Sequence, residues 1–220
     1  MLTTGTAVMT TQNGIGTADE LSALLGPDQV IVGVAEGFGA AVRGTGRVSY
    51  EGARLLRLAN AAGPVTARLR HIADVWSDTG VPVAVFDDVA PMVWEKLVCN
   101  AAFSGVTALT RQTIGEVMAS PDARRVALGC AREAYDVGRA DGVRFSFDDV
   151  ERYVTEFGDH MPHARTSMLQ DRLAGRPSEV DAIHGAVVAS GARLCVPTPW
   201  NLNVTNRVHE YEAELIGGNR

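Results

Sequence analysis

Lysine is almost absent from this chain: of 20 basic residues, 19 are arginine and only Lys96 is not. A guanidinium stays charged at any biological pH, whereas an ammonium in a partly dry pocket can be tuned to give up or take a proton. Lys96 is therefore either the survivor of a compositional bias or a residue with work that arginine cannot do. Cysteine is scarce as well. Cys99, Cys130 and Cys195 are odd in number and far apart, which excludes a disulfide framework or a zinc ribbon and predicts reduced, mostly buried thiols. No apolar run approaches the roughly 20 residues that cross a bilayer. The opening Met1-Leu2-Thr3-Thr4 lacks the charged and apolar regions of a signal peptide, so a soluble, cytoplasmic protein is expected. Basic clusters are missing too. A net charge of −6 with scattered arginines excludes the electrostatic footprint of a nucleic-acid or membrane-surface binder and leaves a small molecule as the expected partner.

What is present suggests two parts. A length of 220 residues can bury one large core or two ordinary ones. Strands are expected at Val8 to Thr11, Val30 to Val34, Val48 to Tyr50, Leu55 to Leu58 and Val81 to Phe86, with helices at Ala18 to Leu25 and Pro64 to Asp78. Gly37-Phe38-Gly39 and Gly44-Thr45-Gly46 read as hairpin turns. After about Asp88 the pattern is helical throughout. Asp87 or Asp88 can cap a helix with Pro91 in its first turn, running to about Leu109. Further helices are expected at Thr113 to Met118, Pro121 to Asp141, Phe147 to Phe157, Ser178 to Ser190 and Trp200 to Ile216. The fold class is thus an α/β domain over residues 1–89 followed by an all-α helical bundle over residues 90–220.

Lys96, Asn100 and Ser104 are spaced four apart, so on a helix their side chains form a polar stripe that drifts about 40° per step. Around them lie Val93, Leu97, Val98, Ala101, Ala102 and Val106, too apolar for the solvated side of an amphipathic helix. The stripe either lines a polar cleft or consists of side chains bonded to neighbouring backbone. Ser178 and Asp181 form a capping-box pattern that starts a helix at Glu179. Glu179 then sits where the helix dipole favours a carboxylate, as a hydrogen-bond acceptor for a substrate or as an ordinary acidic first-turn residue. His160 and His163 are three apart, but Met161-Pro162 breaks the helix between them and no third ligand is evident, so no metal is expected. Asn13-Gly14-Ile15-Gly16 follows a strand and opens toward a helix, without a G-x-G-x-x-G or a P-loop lysine; its backbone could approach a ligand closely.

Five segments in register, Asn13-Gly14-Ile15-Gly16, Trp94-x-Lys96-x-x-x-Asn100, Ser167-Met168-Leu169-Gln170-Asp171, Ser178-Glu179-Val180-Asp181 and Val196-Pro197-Thr198-Pro199-x-Asn201, resemble ketopantoate reductase (2-dehydropantoate 2-reductase) from about Val8 to the C-terminus. The resemblance implies a Rossmann-type NADP-binding domain, of which residues 1–89 would be the C-terminal part, a helical domain over 90–220, and a cleft between them. It also implies NADPH-dependent reduction of the ketone of 2-dehydropantoate to pantoate, on the route to pantothenate and coenzyme A. Lys96 matches the catalytic lysine of that family, and Glu179 the active-site glutamate that holds substrate and cooperates with it. Asn100, Ser104 and Ser167 fall on the substrate side, and Asn13 matches the asparagine at the cofactor-facing edge.

Two departures leave the identity of the 2-oxoacid open: Ser104 stands where many members carry a second asparagine, and Ala164 where a polar substrate contact can occur. The missing G-x-G-x-x-G leads to the expectation that part of the nucleotide-binding domain is absent. The unpaired strand edge near Val8 to Thr11 that this would leave predicts association, as a homodimer through that edge or the helical half. The alternative from another class is a non-catalytic remnant that binds a small hydroxy acid or a protein partner.

Overall fold

The structure, a computed structural model, describes residues 2–3, 5–52 and 54–217; of the opening segment, Met1 and Thr4 lie outside the described residues. Two compact units emerge, one of the residues up to Gln12 together with Gly16–Val93, the other of Asn13–Ile15 together with the residues from Trp94 onward.

The first unit is a mixed sheet with helices. Strand β1 (Val8–Thr10) leads into helix α1 (Thr17–Leu25), which returns the chain to β2 (Val30–Glu36). The hairpin β3 (Gly39–Gly44) and β4 (Arg47–Gly52) follows, then β5 (Leu55–Asn60), helix α2 (Ala67–Ser77) and β6 (Val83–Val85). The four-stranded sheet has the order β1-β2-β5-β6, while β3 and β4 pair only with each other. The connections explain the directions. Helices α1 and α2 supply the long crossovers that parallel pairs require, and β1 with β2 and β5 with β6 are parallel. Between β2 and β5 the chain makes only a hairpin excursion, so these two meet antiparallel, with Val32 opposite Ala59 and Val34 opposite Arg57. Ile31, Leu56, Leu58, Leu69 and Ala73 form one core cluster, and Val32, Val34, Ala59 and Met92 another. At roughly 1.5–3 kcal/mol for each large aliphatic side chain removed from water, these clusters supply most of the stability of the sheet.

Two expectations for this unit need correction. Strand β3 was not foreseen, because alternation records burial and Val42, Val48 and Tyr50 on the hairpin are exposed. Gly37-Phe38-Gly39 is not a hairpin turn either, since β2 and β3 are not paired. Gly44-Thr45-Gly46 does join β3 to β4, with positive φ at Gly44 and Gly46.

The second unit is built around α3 (Val89–Thr110), whose residues from Trp94 onward belong to it. Asp88 Oδ1 accepts from the amide of Ala90 at its start. Leu97, Val98, Ala101, Ala102, Phe103, Val106 and Ala108 are all buried, so α3 is covered on most sides, as its lack of a polar face demands. Around it lie α4 (Ile114–Ala119), α5 (Pro121–Ala140), α6 (Val150–His160), α7 (Ser167–Leu173), α8 (Ala186–Leu194) and α9 (Pro199–Gly217). A capping box of Thr113 with Glu116 starts α4, Asp149 caps α6 and Thr166 caps α7. Helix α6 begins at Val150 rather than Phe147 because Phe145 and Phe147 are drawn off to stack with Tyr135.

The expected Ser178 capping box does not form. The Ser178 amide donates to Glu212 Oε1 of α9, and Asp181 Oδ1 pairs with His209 Nε2. The amides of Ala182 and Ile183 instead donate to the Glu179 carbonyl, and a π turn over Asp181–Gly185 leads into α8. Among the described residues no helix is long and apolar enough to cross a membrane.

Candidate active site

All six residues singled out from the sequence, Asn13, Lys96, Asn100, Ser104, Ser167 and Glu179, fall in the second unit. The drift of a four-residue spacing round the helix decides how the stripe is exposed. Lys96 and Asn100 are half-buried, while Ser104, two steps on, is buried.

Four hydrogen bonds fix the far half of this helix against its neighbours. Thr107 Oγ1 and Thr166 Oγ1 lie 2.7 Å apart, which ties α3 to the start of α7, where Ser167 is the first helical residue and exposed. Arg172 of α7 donates from Nη1 to the carbonyls of Ala108 and Leu109, while its guanidinium lies 4.2 Å from the Tyr211 ring. The Gly105 amide donates to His184 Nε2 at 3.1 Å, which ties α3 to the π turn beginning two residues after Glu179.

Asn13 reaches the same place from 166 positions away in sequence. Its Nδ2 donates to Glu179 Oε2 at 3.0 Å. Gly14 makes this possible. Its φ is +84°, and a Cβ there would lie 2.0 Å from the Ala182 carbonyl oxygen, so only glycine lets the loop sit on this turn. The close approach expected of this glycine-rich turn is thus to protein backbone. Gly14→Ala is expected to cost about 1–2 kcal/mol in left-handed strain alone and to break the Asn13–Glu179 bond by pushing the loop away. Loss of the Asn13 side-chain amide shift in an NMR spectrum, with the helical unit still folded, would be the readout; an unmoved amide would mean that the loop absorbs the methyl group.

Beneath the site runs a buried polar chain. Asn201 Nδ2 donates to the Cys130 carbonyl and to Glu133 Oε2, so its Oδ1 faces His184 Nδ1 at 2.8 Å. Glu133 of α5 also accepts from the amides of Trp200 and Asn201 at the start of α9. Because a backbone amide can only donate, His184 Nε2 must be the acceptor and Nδ1 must carry the hydrogen. Burial pushes His184 down from 6.5 to about 4, the bond to Asn201 pulling weakly the other way.

The sign of the linkage follows. The neutral ring is the folded form, so its stabilisation is complete above pH 6.5 and is lost as the pH falls from 6.5 toward 4. Between pH 7 and pH 4.5 the predicted loss is about 2 kcal/mol, measured as urea midpoints at the two pH values; a His184→Asn variant should show a smaller difference. Sequence reasoning assigned no role to His184, Glu133, Gly105 or Asn201. The available signal was a glutamate and a histidine among apolar neighbours, Glu133 beside Cys130, Ala134 and Val137, and His184 beside Val180, Ile183 and Val187.

His160 Nδ1 lies 2.5 Å from the Glu156 carbonyl oxygen. Among the described residues no group of three His, Cys, Asp or Glu side chains could hold a metal ion.

Residues 88–212 match the family model described as "Ketopantoate reductase PanE/ApbA C terminal" and residues 1–63 match "Ketopantoate reductase PanE/ApbA". The 2-dehydropantoate 2-reductase of Streptococcus pyogenes serotype M3 is 30% identical over 212 residues, 96% of this chain and 68% of that protein. The chain belongs to the ketopantoate reductase family. A further family member, from Archaeoglobus fulgidus, is 29% identical over 94% of the chain and 69% of its own length. Among solved structures, the family enzyme of Geobacter metallireducens GS-15 superposes with a TM-score of 0.88 at 30% identity, over 96% of this chain and 70% of that one. A D-mandelate dehydrogenase bound to NADH and anilino(oxo)acetate shares the fold at 22% identity and a TM-score of 0.87, over 97% of this chain and 70% of that one. The chain therefore spans about two thirds of the length of the relatives it matches.

Proposed function

We propose that this chain carries the substrate side of a ketopantoate reductase site and works in the NADPH-dependent reduction of a 2-oxoacid ketone, with Lys96 as the proton donor. The observation that carries the reading is the bond from Asn13 to Glu179, which joins two segments that the family resemblance independently assigns to the active site. Lys96 and Asn100 lie half-buried on a helix tied to the turn that follows Glu179.

The chemistry of the chain's own residues follows from their types. When a ketone carbon is reduced, negative charge grows on its oxygen, and an ammonium within hydrogen-bond reach stabilises that charge and supplies the proton. Arginine would stabilise the charge but not protonate it. Glu179, with Oε2 held by Asn13, is an acceptor for a substrate hydroxyl or for the ammonium. Asn100 and Ser167 offer polar contacts to the hydroxyl and carboxylate of the acid.

NADPH is the reductant that the family resemblance implies, and it would supply hydride. The βα turn of this chain does not fit its pyrophosphate. Gly14 is packed against the Ala182 carbonyl, and the first turn of α1 carries Asp19 and Glu20, which repel phosphate where a helix N-terminus would otherwise attract it. The same misfit favours a second reading, a non-catalytic remnant that keeps the acid-binding residues and turns nothing over.

Isothermal titration separates these readings in two stages. Saturable heat with 2-dehydropantoate is expected under both, and its absence would sink both. Oxidation of NADPH in the presence of the acid is expected only of the enzyme.

A further inference from the structure

Among the buried titratable groups that take no part in the reaction, His184 is the fully buried one bonded to the Lys96 helix. We propose that His184 is the positioning residue of this site: through Nε2 it holds Gly105 of α3 against the π turn that follows Glu179, and so keeps Lys96, Asn100 and Ser104 in register with that carboxylate. The proposal rests on the reading of Lys96 as an active-site residue.

Gly105 is the residue immediately after Ser104, and its amide donates to the fully buried His184 ring at 3.1 Å. The approach is specific to this position. A Cβ at Gly105 would lie 2.6 Å from His184 Nε2 and 2.3 Å from Val204 Cγ1, so the ring and α9 close on the one place where α3 has no side chain. Lys96 lies about 13 Å back along the same helix at 1.5 Å per residue, and a helix packed on most of its faces moves as a rod.

At the other end of the ring, Asn201 and Glu133 remove the remaining freedom. Asn201 spends both hydrogens of its amide on the Cys130 carbonyl and Glu133, so it can only accept from Nδ1. The opposite tautomer would set donor against donor at Gly105, a ring flip would put a carbon there, and a phenyl ring would leave the amide without an acceptor. The π turn places this contact. By widening the helix one turn after Glu179, it brings the His184 ring over α3 while Glu179 stays at the helix start, within reach of Asn13.

The single lysine makes the test direct. Protein grown with [13C]lysine gives one lysine side-chain resonance, from Lys96, in the full chain without ligand or cofactor. Three variants are compared with it. His184→Phe, which keeps ring volume and removes both nitrogens, is expected to shift and broaden that resonance. His184→Gln, whose amide oxygen can accept from Gly105, should return it toward the wild-type position. Val154→Ala, a cavity in α6 outside this network, should lower stability and leave the resonance in place. An unmoved Lys96 signal in a folded His184→Phe protein overturns the proposal. Should that variant not fold, 15N spectra of the wild-type imidazole decide instead: hydrogen on Nδ1 with a bare Nε2 is required, and the opposite tautomer would refute it. Addition of 2-dehydropantoate to the wild type keeps the two readings apart. A Lys96 resonance indifferent to saturating acid sinks the assigned function, whereas the ligand-free readouts judge His184 on their own.

Discussion

Glu133→Ala is expected to destabilise the helical unit by about 4 kcal/mol, from two or three buried donors losing their acceptor at about 1–3 kcal/mol each. The carboxylate is 7% exposed and accepts at 2.7 Å from the Trp200 amide, at 2.9 Å from the Asn201 amide and at 2.8 Å from Asn201 Nδ2. The first two are among the amides that a helix N-terminus leaves without internal partners, so Glu133 does for α9 from another helix what a capping side chain does locally. The favourable field of the helix end is lost with it. Alanine also frees Asn201, and through it His184, so the damage spreads beyond one contact.

Glu133→Gln is the control. One amide oxygen can still accept, but the new NH2 group faces a backbone N–H, and about half of the loss is expected. Urea unfolding followed by tryptophan fluorescence reports the change, since Trp94 and Trp200 both belong to this unit. The midpoint should fall with an unchanged slope. In a thermal scan the same loss corresponds to a drop of roughly 8–16 °C for a chain of this size. A Glu133→Ala protein within about 1 kcal/mol of wild type would mean that water reaches these donors, and that the network is not the dry structure its geometry describes.

Legibility in the sequence followed locality. Helix α4 was expected at Thr113 to Met118, one residue early because Thr113 is its cap and pairs with Glu116 three residues on, and the helix carrying Lys96 was readable from Asp88, Pro91 and an unbroken apolar pattern. The hairpin strand β3 escaped because alternation records burial, and this strand buries little. The Ser178 cap failed for the opposite reason. Its pattern was present, but Glu212 and His209 on α9, more than 25 residues away, took the groups that the local motif would have used. A spacing rule sees only near neighbours, and these competitors are brought in by tertiary packing.

The same division runs through the site. Lys96, Asn100 and Ser104 could be placed on one stripe by helical period, but the period could not tell which would be buried. Ser104 is buried while Lys96 and Asn100 are half-buried, because the stripe turns under its neighbours. The bond from Asn13 to Glu179 spans 166 positions and has no signature except the glycine beside Asn13, whose positive φ and lack of a side chain allow the approach. Of the chain from Gly105 through His184 and Asn201 to Glu133, only Asn201 stood in a family segment; nothing local marks a histidine whose partners lie on two other helices.

The largest effect on activity is expected at Lys96. Lys96→Ala should lower the rate of NADPH-dependent reduction of 2-dehydropantoate by about 10²–10⁴, the usual contribution of a positioned proton donor, or about 3–5 kcal/mol of barrier. The loss should fall mainly in kcat, because charge on the ketone oxygen develops in the transition state and is small in the bound acid. Lys96→Arg sharpens the point. The guanidinium keeps the positive charge and the length, so affinity for the acid should survive, while the proton it cannot release keeps the rate low. The composition itself argues in this direction: a chain that uses arginine at 19 of 20 basic positions has evident means to use it here if charge alone were enough. The measurement is NADPH oxidation at saturating acid, alongside the Kd of the acid for each variant. A rate unaffected in Lys96→Ala refutes the assigned proton donor. A wild-type chain that binds the acid and never oxidises NADPH instead identifies the remnant, with the substrate side kept and the reduction lost.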